Sequence, residues 1–251
     1  MQFDSHAHLD DKRFEPDLDE MLMELAHKKI HVLVPGVSAS LIPQVLELVS
    51  PYDNLTMAIG IHPSEVDQAE QFDELAQYLS HPKIVAIGEI GLDYYWVKDN
   101  KAAQQALFRR QLRLAKEHDL PVIIHDREAH EDVFNSLRAE DSFQSGVIMH
   151  AYSGSAEMAL EYVKLGAYIS LAGPVTFKNA RVPKEVAQAV PLDALLVETD
   201  APYLTPHPFR GKRNDPRLLR HIIAQIADLR GVSFQAVEEA TFNNALRAFK
   251  L

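Results

Sequence analysis

The chain contains no cysteine. That absence excludes disulfides, thiolate nucleophiles and cysteine-rich zinc sites, so any metal ion has to be held by His, Asp and Glu. Long apolar runs are missing as well, and none approaches the ~18 residues that a membrane-spanning helix needs. The opening residues, MQFDSHAHLD, carry neither a basic segment nor an apolar stretch of the kind that directs secretion. A cytoplasmic location is the resulting expectation, with no membrane and no obligate protein partner inferred. Positive charge is in deficit, with 25 Lys and Arg against 36 Asp and Glu and a formal net charge of −11. A surface of that sign disfavours broad, nonspecific binding to polyanions, although metal ions in a site would reverse the field locally. Neither G-x-G-x-x-G nor G-x-x-x-x-G-K-[ST] occurs, which removes the signatures of dinucleotide binding and of the P-loop phosphate cradle.

What is present is a regular alternation. Short runs rich in Val, Ile and Leu stand at Phe3–His8, Val32–Val37, Thr56–Ile61, Ile84–Ile90, Val122–His125, Val147–His150, Ala167–Ala172 and Leu195–Thr199. Amphipathic stretches such as Leu18–Lys28, Ala102–His118 and Ser155–Leu165 lie between them, and Pro216–Asp228 and Ser233–Ala248 follow. Strands alternating with helices imply a parallel sheet covered on both faces. Eight such units in 251 residues predict a TIM-type (β/α)₈ barrel in a single domain spanning 1–251.

The strand-like runs share one property at one end. They close on His6-Ala7-His8, Gly60-Ile61-His62, Gly88-Glu89-Ile90, His125, His150 and Glu198-Thr199-Asp200. In a barrel those ends converge on one pocket. Residues i and i+2 on a strand project to one side, roughly 6.5–7 Å apart along it. His6 and His8 are thereby placed to close on one ion, with Ala7 turned to the helix layer and Asp4 on the ligand side to orient them. Glu89, embedded in apolar sequence, is costly to bury unpaired. Two cations sharing it would satisfy it, as would a salt bridge to Arg127. Asp200 is placed to bind metal and to accept a proton from water. Taken singly, His125 and His150 read more readily as hydrogen-bonded structural histidines than as ligands. Together with the other strand-end groups, in a chain without cysteine, they point to a metal site. His62 is either a substrate contact or a structural residue. His27, His31, His81, His118, His130 and His221 are expected to be solvated or to cap helices.

At these residues the sequence resembles the TatD family of metal-dependent hydrolases, a branch of the amidohydrolase-type barrels. The resemblance runs through Asp4-Ser5-His6-Ala7-His8-Leu9-Asp10, Gly60-Ile61-His62-Pro63 and Gly88-Glu89-Ile90-Gly91-Leu92-Asp93-Tyr94-Tyr95. It continues in Pro121-Val122-Ile123-Ile124-His125-Asp126-Arg127, His150-Ala151-Tyr152-Ser153-Gly154-Ser155, Glu198-Thr199-Asp200-Ala201-Pro202-Tyr203-Leu204 and Arg210-Gly211-Lys212-Arg213-Asn214-Asp215-Pro216. It implies two divalent ions, Zn, Mg or Mn, one held by His6, His8, Glu89 and Asp200 and the other by Glu89, His125 and His150, with Glu89 bridging. It also implies a phosphodiesterase or deoxyribonuclease of 3′–5′ exonuclease type, acting on a phosphate ester such as single-stranded DNA. Arg127, with Arg210, Lys212 and Asn214 of the basic loop, would meet substrate phosphate. A metal-dependent deacylase or amidohydrolase, for example on aminoacyl-tRNA or a small ester or amide, is the alternative on the same ligands. A catalytically silent barrel is a third reading, and the complete ligand set speaks against it.

Overall fold

Eight strands are hydrogen-bonded side by side in chain order. They are β1 (Gln2–Asp4), β2 (Ile30–Gly36), β3 (Leu55–Ile59), β4 (Ile84–Asp93), β5 (Val122–Arg127), β6 (Val147–Met149), β7 (Tyr168–Leu171) and β8 (Leu195–Val197). Every pairing is parallel. The computed structural model describes residues 1–96 and 99–251. The circle closes just beyond β1 and β8. There Ser5 N donates to the Val197 carbonyl at 3.1 Å, Asp200 N to the His6 carbonyl at 2.9 Å, and Ala7 bridges Ala201 in parallel. The architecture is the expected (β/α)₈ barrel.

The crossovers carry α1 (Leu18–His27), α2 (Ile42–Val49), α3 (Lys101–Glu117), α4 (His130–Ala139), α5 (Ala156–Lys164) and α6 (Arg181–Ala189), and α7 (Leu219–Arg230) and α8 (Phe234–Ala248) follow β8. Between β3 and β4 the chain instead runs through 3₁₀ turns over Pro63–Tyr78, where only Pro63, Val66 and Leu75 are buried. Apolar residues are too sparse there to draw a continuous stripe down an α-helix. Among the described residues no helix is long and apolar enough to cross a membrane.

Strand parity sorts the core into two layers. Phe3, Leu33, Ala58, Ile123, Ile148 and Leu196 fill the barrel, while Val32, Val34, Met57, Ile59, Ile124 and Met149 face the helices. The interior layer continues onto Phe242 and Phe249 at the end of the chain. Phe3 packs against both, at 6.5 and 5.6 Å between ring centroids. Asn244 of α8 donates to the carbonyls of Leu192 and Leu195, where β8 begins. The C-terminal helix therefore plugs the N-terminal end of the barrel and leaves the strand C-termini as the open, functional face.

Candidate active site and metal centre

On that face five imidazoles surround one buried carboxylate. Glu89, 3% exposed, lies on β4. Its Oε2 is 3.2 Å from His6 Nε2 and 3.9 Å from His8 Nε2. Its Oε1 is 2.7 Å from His125 Nδ1 and 3.5 Å from both His150 Nε2 and His62 Nε2. Each carboxylate oxygen thus serves a different group of rings. His6 and His8 turn their Nε2 atoms to within 3.3 Å of each other, and His8 Nε2 is 3.5 Å from Asp200 Oδ1. Ligand atoms of His6, His8 and Asp200 lie within 4.8 Å of one another, as do those of His6, Glu89 and His150 and those of His62, Glu89 and His125. Among the described residues no Lys or Arg pairs with Glu89, so the salt bridge to Arg127 is not how this carboxylate is satisfied. Imidazole nitrogens converging on one dry carboxylate, with His6 Nδ1 buried and without a partner, fit a cation-binding set of N and O donors.

The rings are aimed by partners outside the cluster, which is how metal-ligating histidines are generally held. His125 Nε2 is 3.0 Å from Asp93 Oδ2, and Asp93 is itself fixed by the backbone N–H groups of Tyr95 and Trp96. His150 Nδ1 is 2.8 Å from Glu198 Oε1, which also accepts from Ala151 N at 2.6 Å. Asp4 does not touch a ring. It accepts from Thr199 N and Oγ1 and from His6 N, and so ties β1 to β8 beneath the ligands. Two buried glutamines on one face of α3, seven residues apart, each clamp a strand end. Gln104 grips the Asp93 backbone and Gln111 grips Ile61, the residue before His62. Gly91 adopts φ +148°, and a Cβ there would run into the His125 carbonyl. Its bareness is what lets β4 and β5 approach at the register Gly91↔His125. None of Asp93, Glu198, Gln104 or Gln111 stood out as a site residue in the sequence. The signal for Glu198 was its two-residue spacing from Asp200.

Charge in the cluster follows from this wiring. Burial alone would raise Glu89, but His150, His62, His6 and the hydrogen bond with His125 outweigh it and hold the carboxyl well below its usual range. Burial opposes charge on His125, yet hydrogen bonds with Asp93 and Glu89 push it up to about 9. Burial likewise opposes charge on His150, and the attraction of Glu198 and Glu89 drives it up to about 10. His6 is lowered by burial and by its neighbour His150, and His62 is lowered by burial. Asp200 is lowered: burial opposes ionisation, but His8 beside it wins. Asp4 is raised to about 8 by burial, against the hydrogen bonds from Thr199. Metal-free, the site holds protons on His125 and His150 where cations would sit.

A cleft of about 410 Å³ opens above Glu89, lined among others by His62, Asp93, His125, Arg127, His150 and Asp200. His62 and Arg127 both stand on the wall of this cleft. Arg127 carries no carboxylate partner among the described residues. The basic loop differs from expectation. Asn214 is fully buried. Its amide nitrogen donates to the carbonyls of Thr199 and Tyr203, and its Oδ1 accepts from Asp215 N. With every polar atom of the side chain engaged, Asn214 braces the Asp200 loop and cannot face substrate. Arg210 lies over the Phe177 ring at 4.1 Å and, like Lys212, is not among the cleft-lining residues described. Arg213 is bound to Asp17 at 2.5 and 2.6 Å. Of the histidines set aside, His130 pairs with Asp126 at 2.8 Å.

The family model described as TatD related DNase matches residues 3–250. The chain is 45% identical to the metal-dependent hydrolase YabD of Bacillus subtilis, over the whole of both chains. It is 36% identical to the metal-dependent hydrolase YcfH of Escherichia coli K12, covering 99% of this chain and 95% of that one. The crystal structure of YjjV, a TatD homologue from Escherichia coli K12, superposes with a TM-score of 0.92 at 33% identity, covering 100% of this chain and 98% of the other. With a barrel of this kind, a histidine and carboxylate cluster at its C-terminal face and a family match along the full chain, the protein belongs to the TatD family of metal-dependent hydrolases.

Proposed function

We propose that the chain is a phosphodiesterase acting on nucleic acid, as a deoxyribonuclease working inward from a 3′ end, and that two divalent ions share Glu89. His6, His8 and Asp200 would complete one ion's ligands, and His125 and His150 the other's. The chemistry such ions supply is the acidification of a water molecule and the neutralisation of charge on phosphoryl oxygens. Asp200, 14% exposed on the cleft side and held ionised beside His8, accepts the water proton on a carboxylate oxygen as the P–O bond forms. The ester P–O bond opposite then breaks, and its oxygen leaves with a proton from solvent. Arg127, on the cleft wall, meets a non-bridging phosphate oxygen through its planar fork. His62, kept neutral by burial, is a hydrogen-bonding partner for the substrate.

The observation that carries this reading is the split of Glu89, one oxygen toward each group of histidines, below an arginine that has no carboxylate partner among the described residues. A shared carboxylate suits an in-line displacement at phosphorus, in which the attacking and leaving oxygens both need stabilising. The test is hydrolysis of bis-p-nitrophenyl phosphate by metal-stripped protein, with Mg, Mn or Zn restored in turn. Metal-dependent release of nitrophenol, lost in His6→Ala and Asp200→Asn, is expected. Bound metal without any release, together with hydrolysis of an ester or amide substrate, would move the activity to deacylation.

A further inference from the structure

The cleft has an aromatic rim for which the hydrolytic steps have no use. Trp96, Tyr95 and Tyr203 stay exposed at 70%, 44% and 48%. Trp96 and Tyr203 line the same cleft as Glu89 and Asp200. Trp96 follows β4 and Tyr203 follows β8, four strands apart in the eight-strand order, so the two rings stand on facing sides of the mouth. Each is backed by an arginine. Arg127 Cζ lies 4.1 Å from the Tyr95 ring centroid and 5.3 Å from that of Trp96. The Tyr95 and Trp96 rings meet edge to face at 4.8 Å. Arg13 Cζ lies 4.4 Å from the Tyr203 ring and is pinned by Asp11 at 2.9 and 2.7 Å. Tyr203 in turn meets His8 edge to face at 6.0 Å.

We propose that Trp96 and Tyr203 are base-stacking platforms that seat unpaired nucleobases on either side of the phosphate to be cleaved. The inference rests on the phosphodiesterase reading above. An arginine packs near each ring while the ring stays largely exposed, and a nucleobase offers a matching π-face whatever its sequence. Bases inside a duplex have both faces covered by their neighbours, so only an unpaired strand can use such a rim. The charge of the chain points the same way. At a net charge of −11 the chain has few basic residues to spare for the long track that gives most nucleic-acid binders their affinity. Stacking supplies affinity without that track, and Arg127 answers a single phosphate between the platforms.

Trp96 is the sole tryptophan, so its fluorescence reports on this rim alone. The metal-loaded protein is titrated with a cleavage-resistant phosphorothioate oligothymidylate, with the same backbone made abasic, and with a blunt hairpin. Saturable quenching by the oligothymidylate, absent with the abasic strand, is expected. In parallel, kcat/KM is measured on ordinary single-stranded and abasic strands for wild type, Trp96→Ala, Trp96→Phe and Tyr203→Ala. Loss of one stacked base lowers kcat/KM on the ordinary strand about fivefold to a hundredfold. Trp96→Phe recovers part of the loss, and none of the variants changes cleavage of the abasic strand. Because Trp96 is mostly exposed, its truncation leaves the core intact. Equal rates on both strands, or equal quenching by both, would overturn the stacking role and leave the phosphodiesterase reading standing. Cleavage of neither strand by wild type with any of the ions would remove both.

Discussion

Loading metal into the stripped protein at pH 7.5 is expected to expel about two protons per chain. A ligating imidazole must be neutral, whereas His125 is pushed up to about 9 and His150 to about 10 in the metal-free site. Both rings are therefore almost wholly protonated at pH 7.5. His6 and His62 are lowered by burial, and on His8 burial opposes charge but the hydrogen bond with Asp200 outweighs it and raises the ring. The sign of the linkage is fixed. Because both pKa values are raised, charge on these rings stabilises the stripped fold fully below the ordinary value of 6.5, and that stabilisation is lost as the pH rises through 9 and 10. Metal affinity moves the other way. Two displaced protons make the apparent constant tighten by about a hundredfold per pH unit between pH 7 and 9, flattening above 10. Calorimetric titration in two buffers of different ionisation enthalpy counts the protons directly. A count near zero at pH 7.5, with metal still binding, would refute the assignment of His125 and His150 as rings that surrender protons to ligate.

Three substitutions probe the wiring around the site. Glu198→Gln keeps the shape and the acceptor for Ala151 N but removes the charge beside His150, so metal affinity should fall about 10–100-fold and the proton count by about one, both read in the same calorimeter. Gly91→Ala forces a Cβ against the His125 carbonyl from a positive φ and should cost about 3 kcal/mol of stability, visible as a lower urea midpoint with unchanged slope. Asn214→Ala removes this partner from the Thr199 and Tyr203 carbonyls and from Asp215 N, at a cost of about 1–3 kcal/mol, and should lower kcat. Its dependence of KM on salt should match wild type, because the side chain braces a loop and meets no phosphate.

The sequence disclosed the barrel because most strand residues are buried on both faces and the strands read as nearly continuous apolar runs. Strand ends were less legible. The runs ending at His8, His150 and Thr199 outlast the ladders, which stop at Asp4, Met149 and Val197. Closure there passes to isolated backbone bonds, such as Asp200 N to the His6 carbonyl, and to side chains, as where Asp4 accepts from Thr199 N. The reverse holds for β4 and β5, which continue to Asp93 and Arg127 because Gln104 and the bare Gly91 hold them together. The six proposed ligands were readable from residue type at strand ends alone. Their supports were not, since Gln104 and Gln111 look like ordinary polar residues on an amphipathic helix until the backbone they clamp is known. The basic loop misled for a related reason: a run of Arg, Lys and Asn states charge but not direction, and here Asn214 and Arg213 turn inward to Thr199 and Asp17.

The most direct test of the shared-carboxylate site is anomalous diffraction from crystals soaked in Mn or Zn. Two peaks flanking Glu89 are expected, one contacting His6, His8 and Asp200 and the other His125 and His150. A single peak, or peaks that leave Glu89 without contact, would contradict it.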